Sequence, residues 1–192
     1  ADHGGMNNAQ FLLDRRIPAG DWNTKTAQKE LNEMLKAKYP SADKLVTWVS
    51  NYQVFFDTQK IDSLGLDYAA IKQDAVNLLK KNKMVQYACD MEKASIESIP
   101  EDIKYRIING YNRERSGGVQ VILKPAHYSN GMKGTTHGAW NGYDTHIPLV
   151  FMGWGIQHGA STKPVYMTDI APTVCALLHI QAPNGCIGEP IF

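Results

Sequence analysis

An aspartate and a histidine stand side by side at Asp2-His3, just ahead of Gly4-Gly5. A second histidine-glycine pair lies far downstream, in Gly134-Thr135-Thr136-His137-Gly138. Carboxylate and imidazole together make a ligand set that suits zinc. A catalytic metal gathers side chains from separate loops, so wide spacing between such groups is the expected pattern. Adjacent residues tend to point apart unless the backbone turns, and the glycines after His3 and around His137 permit such turns. Spacing alone leaves a second reading open, in which His3 belongs to a frayed terminus and His137 is an exposed loop imidazole.

The elements that must position these groups are legible as periodic segments. Residues 2–8 read as a polar loop. A helix is expected over 24–38, with Ala27, Leu31, Met34 and Leu35 on one face. Pro40 stops it. Residues 45–50 and 53–58 read as two strands joined at Asn51, a hairpin in a small side subdomain. Asp67 is an N-cap for a helix running to about Lys81, with Tyr68, Ile71, Ala75, Leu78 and Leu79 as its buried stripe. A strand over 84–88 follows. Pro100, with Glu101 and Asp102 beside it, opens a helix that turns Ile103, Ile107 and Ile108 inward. Residues 119–123 form a strand, and a long polar, glycine-rich loop then runs over 124–144, the kind of ordered loop that is often functional. A buried strand is expected over 147–152, and a last helix from Thr168 or Asp169 to His179. The alternation of strands and helices argues for an α/β fold. In such folds ligands gather at the carboxyl ends of strands, and the loop carrying His137 follows a strand end.

Other polar residues have simpler roles. Asp169 reads as a helix cap and Thr173 as a structural residue inside a helix. Lys124 and His127 read as solvated loop residues, and His158 and His179 as surface groups. His146 is a candidate to orient a metal ligand through a hydrogen bond. Trp140, Tyr143 and Trp154 read first as packing aromatics.

Composition bounds the function classes. With 192 residues, 43% of them hydrophobic and 20% charged, the chain is long enough to bury a real core. Twenty basic residues against nineteen acidic ones leave a formal charge of +1, which argues against a nucleic acid polymer or an anionic membrane as partner. The longest apolar runs are too short to span a bilayer. Cys89, Cys175 and Cys186 have no CxxC spacing, so neither a zinc ribbon nor a thioredoxin motif is present. Cys175 reads as a small core residue, and no Cys175–Cys186 bridge is expected. The chain opens without an initiator methionine or a signal-peptide pattern and reads as cut from something longer.

Several phrases in order carry a resemblance. They are Asp2-His3-Gly4, then Thr136-His137-Gly138, then Ile147-Pro148-Leu149-Val150-Phe151-Met152-Gly153-Trp154-Gly155-Ile156, then Thr168-Asp169-Ile170-Ala171-Pro172-Thr173. This set resembles the C-terminal part of the alkaline phosphatase superfamily, nearest to the bacterial phosphate-irrepressible type that is related to type I phosphodiesterases and nucleotide pyrophosphatases. The resemblance implies the C-terminal portion of a three-layer α/β/α sandwich, with residues 1–192 forming part of one catalytic domain. It implies a two-zinc site, with Asp2 and His3 on one zinc and His137 on the other. The nucleophile and the remaining ligands would lie upstream, so no catalytic nucleophile is assigned here. The whole protein is then expected to hydrolyse phosphate monoesters through a phosphoryl-enzyme in the periplasm or outside the cell. The alternatives are a phosphodiesterase or nucleotide pyrophosphatase, and a folded module without catalysis. The isolated chain is expected to be inactive, to hold zinc weakly, and to dimerise through an exposed sheet edge or apolar surface.

Overall fold

The computed structural model of the chain describes residues 2–192. Contacts divide the chain into two compact units, Ala1–Pro148 and Leu149–Phe192.

In the first unit, the loop from Asp2 leads into α1 (Ala9–Leu13), capped by the Asn8 side chain, which accepts the Phe11 N–H. After β1 (Gly20–Asp21) comes α2 (Thr24–Lys38), with the bounds its periodicity predicts. Asn23 caps it, and Ala27, Leu31 and Leu35, spaced four apart, form its buried stripe. β2 (Val46–Ser50) and β3 (Gln53–Phe56) make the expected hairpin. Its two-residue turn puts Asn51 and Tyr52 at φ of 49° and 58°, the backbone shape whose twist matches the flanking strands. Next come α3 (Thr58–Ser63) and α4 (Tyr68–Leu79), the latter capped by Asp67 as expected. β4 (Val85–Asp90) and a 3-10 turn at Met91–Ile96 precede α5 (Glu101–Gly110). β5 (Val119–Leu123), β6 (His127–Tyr128) and the single turn α6 (Gly142–Thr145) complete the unit.

The main sheet has the order β2-β3-β5-β4 and is antiparallel throughout. β5 is buried on both faces. Val119, Val121 and Leu123 alternate onto one face and pack with Leu31 and Leu35 of α2 and Ile71 and Ala75 of α4. Ile122 packs on the other face with Cys89, Met91, Ala94 and Ile103 and Ile107 of α5. Helices therefore cover both faces, which gives the expected three-layer, mixed α/β arrangement. Ile108 departs from expectation. It is 46% exposed, because five residues of helix turn it well away from the stripe of Ile103.

In the second unit, a 3-10 turn at Met167–Asp169 leads into α7 (Ile170–Leu178), which ends on His179 in the left-handed conformation. Asp169 accepts the Tyr166 N–H and the Glu189 N–H. The buried Thr173 hydroxyl donates to the Asp169 carbonyl and accepts the Ile191 N–H. Both residues thus have structural roles, as their positions predict. Cys175 is half-buried rather than a core residue, and it forms no bridge with Cys186. The strand expected over 147–152 does not form. A strand needs a neighbour for its backbone N–H and C=O groups, and residues 149–192 contain no described strand. Val150 and Met152 are exposed there. So is Trp154, which packs against nothing that covers it. No described helix is long and apolar enough to cross a membrane.

Candidate metal centre

The N-terminal loop and the loop after β5 are sewn together at several points. β1 pairs in parallel with β6, setting Asp21 beside Tyr128. Asp21 accepts the N–H groups of Asn130 and Gly131 through one carboxylate oxygen. The buried Tyr128 hydroxyl accepts the Ala9 N–H at 3.1 Å and donates to the Gly134 carbonyl. Thr135 donates from its hydroxyl to the Met6 carbonyl at 2.6 Å, and Gln10 N–H to the Met132 carbonyl at 2.9 Å. Tyr143 accepts the Ala126 N–H and the Asn141 side-chain amide, closing the base of the loop.

These ties bring His3 and His137 face to face. Their ring centroids lie 3.8 Å apart, with the planes 14° from parallel. The His3 Nδ1 lies 2.7 Å from the Gly4 carbonyl. A carbonyl only accepts, so Nδ1 is the donor in this contact, and Nε2 is the ring nitrogen left to face a metal. A metal-ligating histidine is commonly held this way. Asp2 and both histidines are exposed. The Asp2 carboxyl is held below the usual range, chiefly by its own backbone N–H and then by the nearby His3.

Imidazole lone pairs lie in the ring plane. An ion at about 2.0–2.1 Å from both rings would have to sit half the stacking distance out of each plane. The stacked pair is therefore not arranged to share one ion. Among the described residues, no group of three or more His, Cys, Asp and Glu side chains converges to hold an ion. The donor types present, one carboxylate and two imidazoles, suit zinc.

His146 is exposed, and its ring makes no hydrogen bond among the described residues; its backbone N–H caps α6 by donating to Gly142. His127 is half-buried and donates from Nδ1 to the Pro125 carbonyl. Trp140 packs against the cluster around Ile122, as an aromatic packing role predicts. Sequence reasoning passed over Asp144. It is buried, its carboxylate accepts the Ala139 N–H at 2.6 Å, and its carbonyl accepts the Gly4 N–H at 2.8 Å.

No family model matches the chain. A protein of Myroides odoratus named calcium-transporting ATPase is 45% identical over 193 residues, spanning all of this chain and 35% of that protein. Alkaline phosphatase PafA of Elizabethkingia meningoseptica is 44% identical over 192 residues, again all of this chain and 35% of the relative. The crystal structure of wild-type alkaline phosphatase PafA superimposes with a TM-score of 0.93, over all of this chain and 36% of that one. The chain belongs to the alkaline phosphatase superfamily. It corresponds to a C-terminal portion of that superfamily's fold and spans about a third of the length of the relatives it matches. The stacked histidines and the antiparallel sheet behind them are thus parts of an alkaline phosphatase framework.

Proposed function

We propose that this chain is the C-terminal portion of a zinc-dependent phosphatase that hydrolyses phosphate monoesters through a phosphoryl-enzyme. Asp2 and His3 hold one zinc and His137 holds the other. The observation that carries this reading is the pair of imidazoles from two distant loops, brought face to face beside Asp2, within a chain of the alkaline phosphatase superfamily. The chemistry that zinc supplies in such a site is stabilisation of the attacking and leaving oxygens during phosphoryl transfer. The chain's own residues hold and orient. His3 offers Nε2 because Gly4 holds its Nδ1 proton. Asp2 offers an anionic carboxylate. The loop after β5 carries His137 to its place beside His3.

Three donors do not complete two sites, so the remaining ligands and the nucleophile come from other parts of the whole protein. The 192-residue chain alone is therefore inactive and holds zinc weakly. The periplasm or cell exterior is the compartment proposed for the whole protein, on the strength of the family resemblance alone. Turnover of p-nitrophenyl phosphate and of its bis-ester by the whole protein, before and after chelation, tests the reading. The monoester should be the faster substrate, with activity lost on chelation and restored by zinc. Turnover that survives chelation, or faster turnover of the diester, would contradict it.

A further inference from the structure

One buried residue touches both arms of the candidate metal centre. The Asp144 carbonyl accepts the Gly4 N–H at 2.8 Å, directly after His3. The Asp144 carboxylate accepts the Ala139 N–H at 2.6 Å, two residues after His137. Between His137 and Ala139 stands Gly138 at φ 95°, a conformation that side chains rarely tolerate, so the loop bends where the carboxylate grips it. Asp144 is 5% exposed, and its second carboxylate oxygen, Oδ1, meets no donor among the described residues. Burying a carboxylate with so little satisfaction is costly. A residue kept purely for stability would be better served by an apolar side chain.

We propose that Asp144 is a positioning residue that sets His137 opposite His3, and so fixes the spacing between the two metal positions. This rests on the two-zinc reading above. The division of labour within Asp144 makes the proposal specific. Its main chain holds the Asp2-His3 arm and survives any substitution. Its side chain holds the His137 arm alone. Removing the side chain should therefore loosen one metal position and spare the other. The bare fold should be little affected, because the lost hydrogen bond is offset by relief of a buried carboxyl group whose Oδ1 has no donor among the described residues.

The test is zinc release to a competing chelator, counted per ion, in the whole protein and in its Asp144→Ala and Asp144→Asn variants, with thermal unfolding of the metal-free forms alongside. In Asp144→Ala, one zinc should leave about 10–100-fold more readily, while the other is held as in the wild type and the metal-free melting temperature stays close to wild type. Asp144→Asn, whose amide oxygen can still accept the Ala139 N–H, should restore both. Equal retention of both ions in Asp144→Ala would overturn the proposal. So would equal loss of both, or a collapse of the metal-free fold, since either would make the role purely structural. A wild-type protein that binds fewer than two zinc ions would overturn the two-zinc reading itself, and this inference with it.

Discussion

Gly4 is the residue on which the geometry of the centre turns. A Cβ at that position would run into the Tyr143 carbonyl, and the Gly4 N–H is the one that Asp144 holds. Gly4→Ala should cost about 1–3 kcal/mol of stability through overpacking and should separate His3 from His137. Thermal unfolding and zinc retention of the variant check this; unchanged values for both would contradict it. At this scale the sequence showed its metal-ligand candidates because aspartate and histidine beside glycine form a local signal. Asp144 had no such signal. Its role depends on burial and on hydrogen bonds to two segments distant from each other, and neither is written in its neighbours. His146, two residues on, attracts attention for its imidazole, yet its ring faces solvent without a partner among the described residues.

At the scale of elements, α4 carries a buried charge that its stripe of apolar residues conceals. Lys72 is 2% exposed and donates to Asp90 at 2.9 Å and to Glu92, while the Tyr111 hydroxyl also donates to Glu92. This cluster pins α4 to the end of β4 and the 3-10 turn after it. Lys72→Met would leave Asp90 buried without its partner and should destabilise by about 3 kcal/mol, near the low end for a broken buried pair because Glu92 is partly exposed. Chemical denaturation measures it, and an unchanged midpoint would refute it. The pH dependence follows from the same contacts. The hydrogen bond from Lys72 holds the Glu92 carboxyl below its ordinary 4.5, so the stability it contributes is present above pH 4.5 and is lost as pH falls through the lowered value. For Lys72, burial opposes the charge, but the bonds to Asp90 and Glu92 outweigh it and raise the ammonium above 10.5. Its contribution is complete below pH 10.5 and fades only as pH rises past the raised value. Denaturation midpoints in Glu92→Gln should be less sensitive to acid below pH 4.5 than in the wild type, and equal acid sensitivity would count against the pairing.

Helix α2 was legible from its apolar repeat and α4 from its apolar stripe and the Asp67 cap, because these are local properties. The hairpin was legible from alternation around Asn51. The Lys72 cluster was not, since its partners come from another element. The apolar run at 147–152 misled for the opposite reason. Hydrophobicity reports a wish for burial, whereas a strand also needs a neighbour to pair with.

At the scale of the whole molecule, the second unit leaves much apolar surface open. Val150, Met152, Trp154, Leu178, Ile180 and Phe192 are all more than half exposed. Surfaces of this kind drive association, so the isolated chain should self-associate, as its sequence leads one to expect. Sedimentation over a range of concentrations checks this, and a monomer at the highest concentration would contradict it. The α/β class was legible from alternating elements, and the three-layer packing was what the resemblance implied. The antiparallel strand order was not, because pairing joins β3 to β5 across three intervening helices and a strand.

The central claim is that Asp2, His3 and His137 are half of a two-zinc phosphatase site. Zinc content and p-nitrophenyl phosphate turnover, measured for the 192-residue chain beside the whole protein, test it most directly. Two tightly held zinc ions and turnover are expected in the whole protein, with weakly held zinc and no turnover in the isolated chain. Turnover by the isolated chain would contradict it, because a nucleophile would then have to be found among its own residues.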